Sequence, residues 1–366
     1  MIKKVLPTMI GVVLASSVTA VSADIVLFGH IDTSVEARDV DGGTIEDITL
    51  NCTTCSIGFK GSEDLGNGLK AIFSLDFQYD TTERNPQKHD GFHTTTVVTP
   101  GSSVINPTIT GTLLTHEGAI TDRDQWLGLS GGFGKVRIGT ISTGYKSHGA
   151  MIDPLYRTAL QGRDRGLQSR YHSGAGEEGQ GRATNTIRFD SANYSGVQVV
   201  AHYTIDSDET DGEDDNPYGI GASYENGGIL VFADYLTNDG SHPSTEVEAW
   251  KLGGKYDMGM FGVMGQYEDY QNSSTDKEKV WHLAGTASLF GITAYLGFGK
   301  GEDDTSNHDY TAWTLAAMYS FSKNTMVYVG HSQVDCDAPS TLSACRAVGA
   351  GGGEDDKTSL GLKHKF

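Results

Sequence analysis

The sequence predicts an all-β fold, a sixteen-stranded antiparallel transmembrane β-barrel, and three observations carry that expectation. Past the N-terminal two dozen residues no helical period is sustained, whereas period-2 alternation recurs along the chain. No later apolar run approaches the roughly 18 residues that a membrane-spanning helix requires. Short turns and long polar connections then alternate without a break.

The alternation is explicit in several stretches. Trp250, Leu252, Gly254 and Tyr256 share one face, with Lys251, Gly253 and Lys255 on the other. Phe261, Val263, Gly265 and Tyr267 alternate with Met264, Gln266 and Glu268, and Trp313, Leu315, Ala317 and Tyr319 with Thr314, Ala316, Met318 and Ser320. One apolar and one polar face suit a barrel wall, but they also suit a soluble sandwich. The connections separate the two. Short turns rich in Gly, Asn or Ser lie at 62–68, 131–134, 191–196, 225–228, 258–260, 290–291 and 321–324. Long connections lie at 37–52, 81–121, 142–181, 207–216, 238–247, 271–278, 301–309 and 335–357. Seven short and eight long connections join sixteen strands. A membrane barrel has this asymmetry between its two ends, and a sandwich has no reason for it. Tyr224, Tyr256 and Tyr319 each close a strand before a short turn, and Phe261 follows one, as an interfacial aromatic girdle requires.

The ends and the composition agree. Lys3 and Lys4, an apolar stretch over 5–18 and Val21-Ser22-Ala23 read as a secretory signal cleaved after Ala23, leaving 24–366 as the barrel. The formal charge of −20 argues against nucleic-acid binding, which needs a basic footprint. Forty-eight glycines and 29 Tyr plus Phe, with only 8 prolines, suit many paired strands.

Three local motifs have structural readings. Cys52-Thr-Thr-Cys55 has the spacing of redox and zinc motifs, but neither a strand-to-helix context nor a second ligand pair accompanies it. In an exported chain, local disulfides Cys52–Cys55 and Cys336–Cys345 are expected, with cross-pairing of the first and eighth long loops left open. Gly128-Leu-Ser-Gly-Gly132 matches a nucleophile elbow, yet a glycine turn follows it where a helix is needed. The acidic stretch 206–215 breaks the EF-hand register and reads as a solvated outer loop, suited to divalent bridging to lipopolysaccharide. No metal or cofactor site is expected.

Several segments resemble the Gram-negative general porins, particularly the beta-proteobacterial type. DIVLFGHID (24–32) resembles the first strand, and SIGFKGSEDLGNGLKAIF (56–73) the second strand, turn and third strand. DQWLGLSGGFGKVRIG (124–139) resembles the fourth and fifth strands, 182–203 the sixth and seventh, and SLGLKHKF (359–366) the closing strand. The resemblance implies a homotrimer in the outer membrane, each barrel with its own pore, surrounded by lipid and lipopolysaccharide. It implies a third long loop folded inward, and Phe366 as the signal read by the barrel-assembly machinery. Passive diffusion of small hydrophilic solutes and ions follows, with a substrate-specific channel of the same fold as the alternative. An outer-membrane enzyme would need a nucleophile, base and acid on one strand face, which the sequence does not display.

Inward phase and family position together nominate the pore residues. Arg123 stands where the family has a constriction arginine, and Arg182, Lys60, Arg137 and Arg188 are expected in the lumen. Asp153, before Pro154, is the expected acidic partner on the inward loop, which also carries Arg157, Arg163, Asp164, Arg165, Arg170, Glu177 and Glu178. Fixed cations in a narrow pore favour anions. The family's arginines are replaced here by Ser56 and Thr140, so the expected anion preference is weak.

Overall fold

The computed structural model describes residues 24–41, 46–82, 120–172, 181–205, 216–238, 247–272, 276–304, 308–337, 345 and 352–366. The expected signal at 1–23, the acidic stretch 206–215 and Glu177 and Glu178 lie outside the described residues.

The described strands form one antiparallel sheet closed on itself. In chain order they are β1 (Asp24–Val40), β2 (Glu46–Cys52), β3 (Ser56–Gly66), β4 (Leu69–Tyr79), β5 (Ile120–Gly131) and β6 (Gly134–Ser142). A short helix α1 (Gly144–Ala150) begins the inward segment. The wall resumes with β7 (Arg182–Ser191), β8 (Val197–Thr204), β9 (Tyr218–Asn226), β10 (Ile229–Asn238), β11 (Val247–Asp257) and β12 (Phe261–Asn272). It ends with β13 (Asp276–Leu289), β14 (Ile292–Asp303), β15 (His308–Ser320), β16 (Thr325–Cys336) and β17 (Gly353–Lys365).

Seventeen segments make sixteen barrel strands because β2 and β3 are two halves of one. β3 pairs with β1 over Asp24–His30, and β2 pairs with the same strand over Thr33–Asp39. The break between them is the Cys52–Cys55 disulfide, whose turn holds Thr54 at φ 52°. The expected loop 37–52 is therefore mostly hairpin. The loop expected over 335–357 is likewise shorter, since β17 starts at Gly353. Glu354, Asp355 and Asp356, expected outside, sit in that strand. Asp355 points inward, where Arg38 and Arg165 neutralise it, and a paired charge is tolerated in a wall whose inner face is polar.

Alternation sorts the wall into two surfaces. Leu127, Leu252, Leu283, Leu315 and Leu360 lie on the outer face, while Asp234, Glu268, His282 and Ser332 are buried on the inner one. Tyr224, Tyr256, Phe261 and Tyr319 ring the short-turn end as expected. At the opposite end Trp250 and Tyr267 pack with ring centroids 5.4 Å apart, and Trp281 stands beside them across the sheet from Tyr267. These are the two interfacial levels at which amphipathic rings settle.

The segment after β6 folds into the barrel. Thr143 caps α1, its side chain accepting from the Lys146 amide at 3.3 Å. Ile152, Leu155, Ala159, Leu160 and Leu167 then pack against Tyr295, Tyr310, Ala312, Ala316 and Tyr328 of the inner wall. Glycines make this close approach possible. A Cβ on Gly330 would lie 2.7 Å from Leu160, and one on Gly299 would lie 2.8 Å from the Gly166 carbonyl.

Closure ends at the last residue. The Gly29 amide donates to the Phe366 carbonyl at 3.0 Å, and the Phe366 amide donates back at 3.1 Å. Deleting Phe366 removes both bonds from the seam, about 2 kcal/mol at the usual net value of a hydrogen bond. Outer-membrane levels of heat-modifiable protein should fall several-fold, read by fractionation and unheated gel mobility; wild-type levels would contradict the seam.

Candidate functional site

The opening is bounded by the inner wall of β1–β7 on one side and the inward segment on the other. Arg123 owes its position to an irregularity. Leu127 is 64% exposed on the outer face, and strict alternation from it would put Arg123 outside as well. Between the Leu75–Gln125 and Phe77–Asp122 pairs, however, β5 carries one extra residue. This bulge turns Arg123 inward, where it is 3% exposed, as bulges commonly re-aim side chains. Its Nε donates to Asp76 Oδ2 at 3.0 Å and its Nη1 to Gln78 Oε1 at 2.7 Å.

Arg182 stands beside it. Its Nε donates to Asp124 Oδ1 at 2.7 Å, and Ser142 Oγ donates to the same oxygen at 2.9 Å. Arg137 and Arg188 face each other across β6 and β7 and share Asp190, nearer the short-turn end. Arg188 also donates to the Ser142 carbonyl and to Ser147 Oγ, so it fastens the base of the inward segment. Lys60 lies opposite Ser74 with its ammonium 5.2 Å from the Phe28 ring centroid. It is two inward positions from the Gln78 row that holds Arg123.

Asp153 does not face these arginines. Its carboxylate accepts the Leu155 amide at 2.9 Å and the Gly162 amide at 2.8 Å, and burial pushes its pKa up to about 6. It organises its own turn. The residue the segment extends towards the wall is Arg157, at φ 60°, a backbone region costly for a long side chain. Gln161 Oε1 steadies it by accepting the Arg157 amide at 3.1 Å. Arg157 Nη1 donates to His30 Nδ1 at 3.1 Å, and the other ring nitrogen of His30 lies 3.3 Å from Thr54 Oγ1. The Cys52–Cys55 turn thereby supports the wall at the level of the opening. Among the described residues, Arg123, Arg157 and Arg182 thus meet two carboxylates, Asp76 and Asp124. Lys146 lies behind them, and burial together with Arg182, Arg163 and Arg123 holds its ammonium well below the usual range.

The opposite wall serves as an anchor, and the sequence reading missed it. Glu268 accepts from Tyr145 Oη at 2.8 Å and from the Ser169 amide at 3.0 Å. His148 Nδ1 meets Asp234 at 2.7 Å, and Lys251 donates to the Tyr145 carbonyl. Arg165, 1% exposed, donates to Ser332 Oγ at 2.9 Å, Asp355 Oδ2 at 2.8 Å and the Asp355 carbonyl at 2.7 Å. The available signal was ionisable residues at inward phases: Asp234, Lys251 and Glu268 each alternate with an outward apolar or aromatic neighbour. The second disulfide joins Cys336 to Cys345.

A closed barrel with an apolar outside, a charged inside and a loop docked across its interior is a membrane channel of the porin class. The family model for Gram-negative porins matches residues 8–339, and the chain belongs to that family. Major outer membrane protein P.IB of Neisseria gonorrhoeae is 27% identical over 383 residues, covering 93% of this chain and 97% of that protein. Its counterpart in Neisseria meningitidis serogroup B is 26% identical over 382 residues, covering 98% and 99%. The anion-selective porin from Comamonas acidovorans shares the fold with a TM-score of 0.71 at 22% identity, over 94% of this chain and all of that one. OmpT of Vibrio cholerae, in its trimer form, does so at 0.65 and 14% identity, over 94% and 100%. The protein is an outer-membrane porin, a passive diffusion channel for small hydrophilic solutes and ions, and not an enzyme.

Replacing Arg165 with Met leaves Asp355 without one of its two arginines. Because Arg38 still pairs with Asp355, the cost falls below the roughly 3–5 kcal/mol of a fully broken buried pair, and it is taken from loop docking rather than from the wall. Open-channel current noise should rise clearly while the barrel keeps its heat-modifiable mobility; noise at the wild-type level would contradict the anchor.

Proposed function

We propose that this porin prefers anions weakly, through Arg123, Arg157 and Arg182 at its narrowest level. The observation that carries this reading is the inward segment itself, which presents Arg157 to the opening while Asp153 is taken up within its own turn. Arginines from both sides then face the permeating ion, with Asp76 and Asp124 offsetting only part of their charge. The acids of the long loops count for less. Exposed charges are screened over roughly 8 Å at physiological ionic strength, while charges in a narrow pore between low-dielectric walls are screened less. Arg137, Arg188 and Lys60 line the path towards the periplasmic end, the first two sharing the single carboxylate Asp190. Ser56 and Thr140, in place of the family's arginines, keep the preference weak.

The chain is exported on 1–23 and assembles from 24–366 as a homotrimer, a reading supported by the family resemblance and by the trimer form of the OmpT neighbour. Phe366 and the closing strand are what the barrel-assembly machinery engages, and lipid with lipopolysaccharide surrounds the outer face.

Reversal potentials across a KCl gradient test the selectivity. One unit charge at roughly 7 Å is worth about 0.6 kcal/mol in water-like surroundings, so about threefold in relative permeability. Wild type should favour chloride, and Arg123→Ala and Arg157→Ala should each lower the chloride-to-potassium ratio by about that factor. A strongly cation-preferring wild type, or an Arg157→Ala channel identical to it, would overturn the assignment.

A further inference from the structure

Beside the opening, towards the periplasmic end, a cavity of about 490 Å³ lies between the inward segment and the β15–β16 turn. Its charged lining is unbalanced: Arg157, Lys323, Lys363 and Lys365 stand against Asp153, with buried Asp32 directly across the sheet from Lys363 as the one further carboxylate close by among the described residues. The carboxylate of Asp153 already accepts two backbone amides. Lys363 is buried, and its ammonium donates to the Tyr156 carbonyl at the cavity edge. Lys323 and Lys365 make no ion pair among the described residues, although Lys365 is tied by its backbone to Asn324, next to Lys323. The guanidinium Nε of Arg157 is buried without a hydrogen-bond partner among the described residues. Phe28 and Met326 supply an apolar wall. Four cations converging on one partly enclosed space repel each other unless an anion lies between them, and fixed lysines act as point charges suited to multivalent oxyanions.

We propose that this cavity is a binding site for small dianions, a resting place on the periplasmic side of the opening for phosphate or a short dicarboxylate. The proposal deepens the anion-preferring reading, because Arg157 belongs to both the cavity and the opening. A dianion leaving the constriction would meet Lys363, then Lys323 and Lys365, in a stepwise path. Binding there must stay weak, since a channel conducts only if the solute can also leave.

The test uses full-length protein in planar bilayers, with succinate or inorganic phosphate added to the periplasmic face in a KCl background. Wild-type chloride current should be blocked in brief events. The half-blocking concentration should rise about tenfold in the Lys323→Gln/Lys365→Gln channel, as the loss of charge-assisted bonds implies. Should the double variant fail to assemble, Lys323→Gln alone, on an exposed turn, should raise it about threefold. Equal block by both dianions identifies charge as the recognised feature, and stronger block by succinate adds the apolar wall; either outcome upholds the site. Block by neither dianion, or block unchanged in the variants, overturns it. Reversal potentials in KCl on the same channels separate the two readings: a cation-preferring wild type would remove the selectivity assignment, while dianion block sensitive to Lys323 and Lys365 would still uphold the cavity.

Discussion

Hydrocarbon offers a polypeptide no hydrogen-bond partner, so each amide in the wall must find its partner in a neighbouring strand. Closure of β1 on β17, in register from His30–Lys365 to Val40–Asp355, is the constraint on which everything else depends. Once the sheet has no edge, alternate residues on every strand are committed to lipid or to the lumen. The lumen must then take the charged residues, and it can be narrowed only from within. The inward segment does this, and its position is set by pairing rather than by chance contact.

The interior is consequently lopsided. Where the β10–β17 wall anchors the inward segment, away from the lysines of the periplasmic cavity, buried charges have close partners: Glu268 with Ser169 and Tyr145, Asp234 with His148, Asp355 with Arg38 and Arg165. Such networks add little net stability compared with an apolar core, but leaving one member unpaired is expensive, which makes the docking specific. On the β1–β7 side Arg123 and Arg182, with Arg157 of the inward segment, outnumber Asp76 and Asp124, and that is where we propose solute passes. Matched charge holds the loop; unmatched charge, on the proposed reading, faces the solute.

Much of the wall was legible in the sequence, because alternation and turn chemistry are local. All seven short turns appear where Gly, Asn and Ser cluster, and the inward segment begins and ends where the long connection at 142–181 was placed. What escaped were features set by partners distant in sequence. The strand pairing of 46–52 with β1 converts an apparent loop into a hairpin, and polar composition alone conceals it. Asp355 looks like a loop acid until Arg38 and Arg165 are found opposite it. The bulge at Arg123 breaks the very period used to read the strand, so family position rather than phase located that residue. Asp153 was expected as the loop's acid for the pore, but its carboxylate accepts the Leu155 and Gly162 amides of its own turn, and Arg157, given no role in the sequence, is the loop residue that reaches the wall.

On the proposed reading, permeating ions meet a cation-lined opening shared by wall and loop. Anomalous scattering from crystals soaked in bromide, and in parallel from crystals soaked in rubidium, reads this directly. Bromide should occupy the space between Arg123, Arg157 and Arg182, with rubidium absent from it. Rubidium at that position without bromide would contradict the claim and show that Asp76 and Asp124 govern the opening instead.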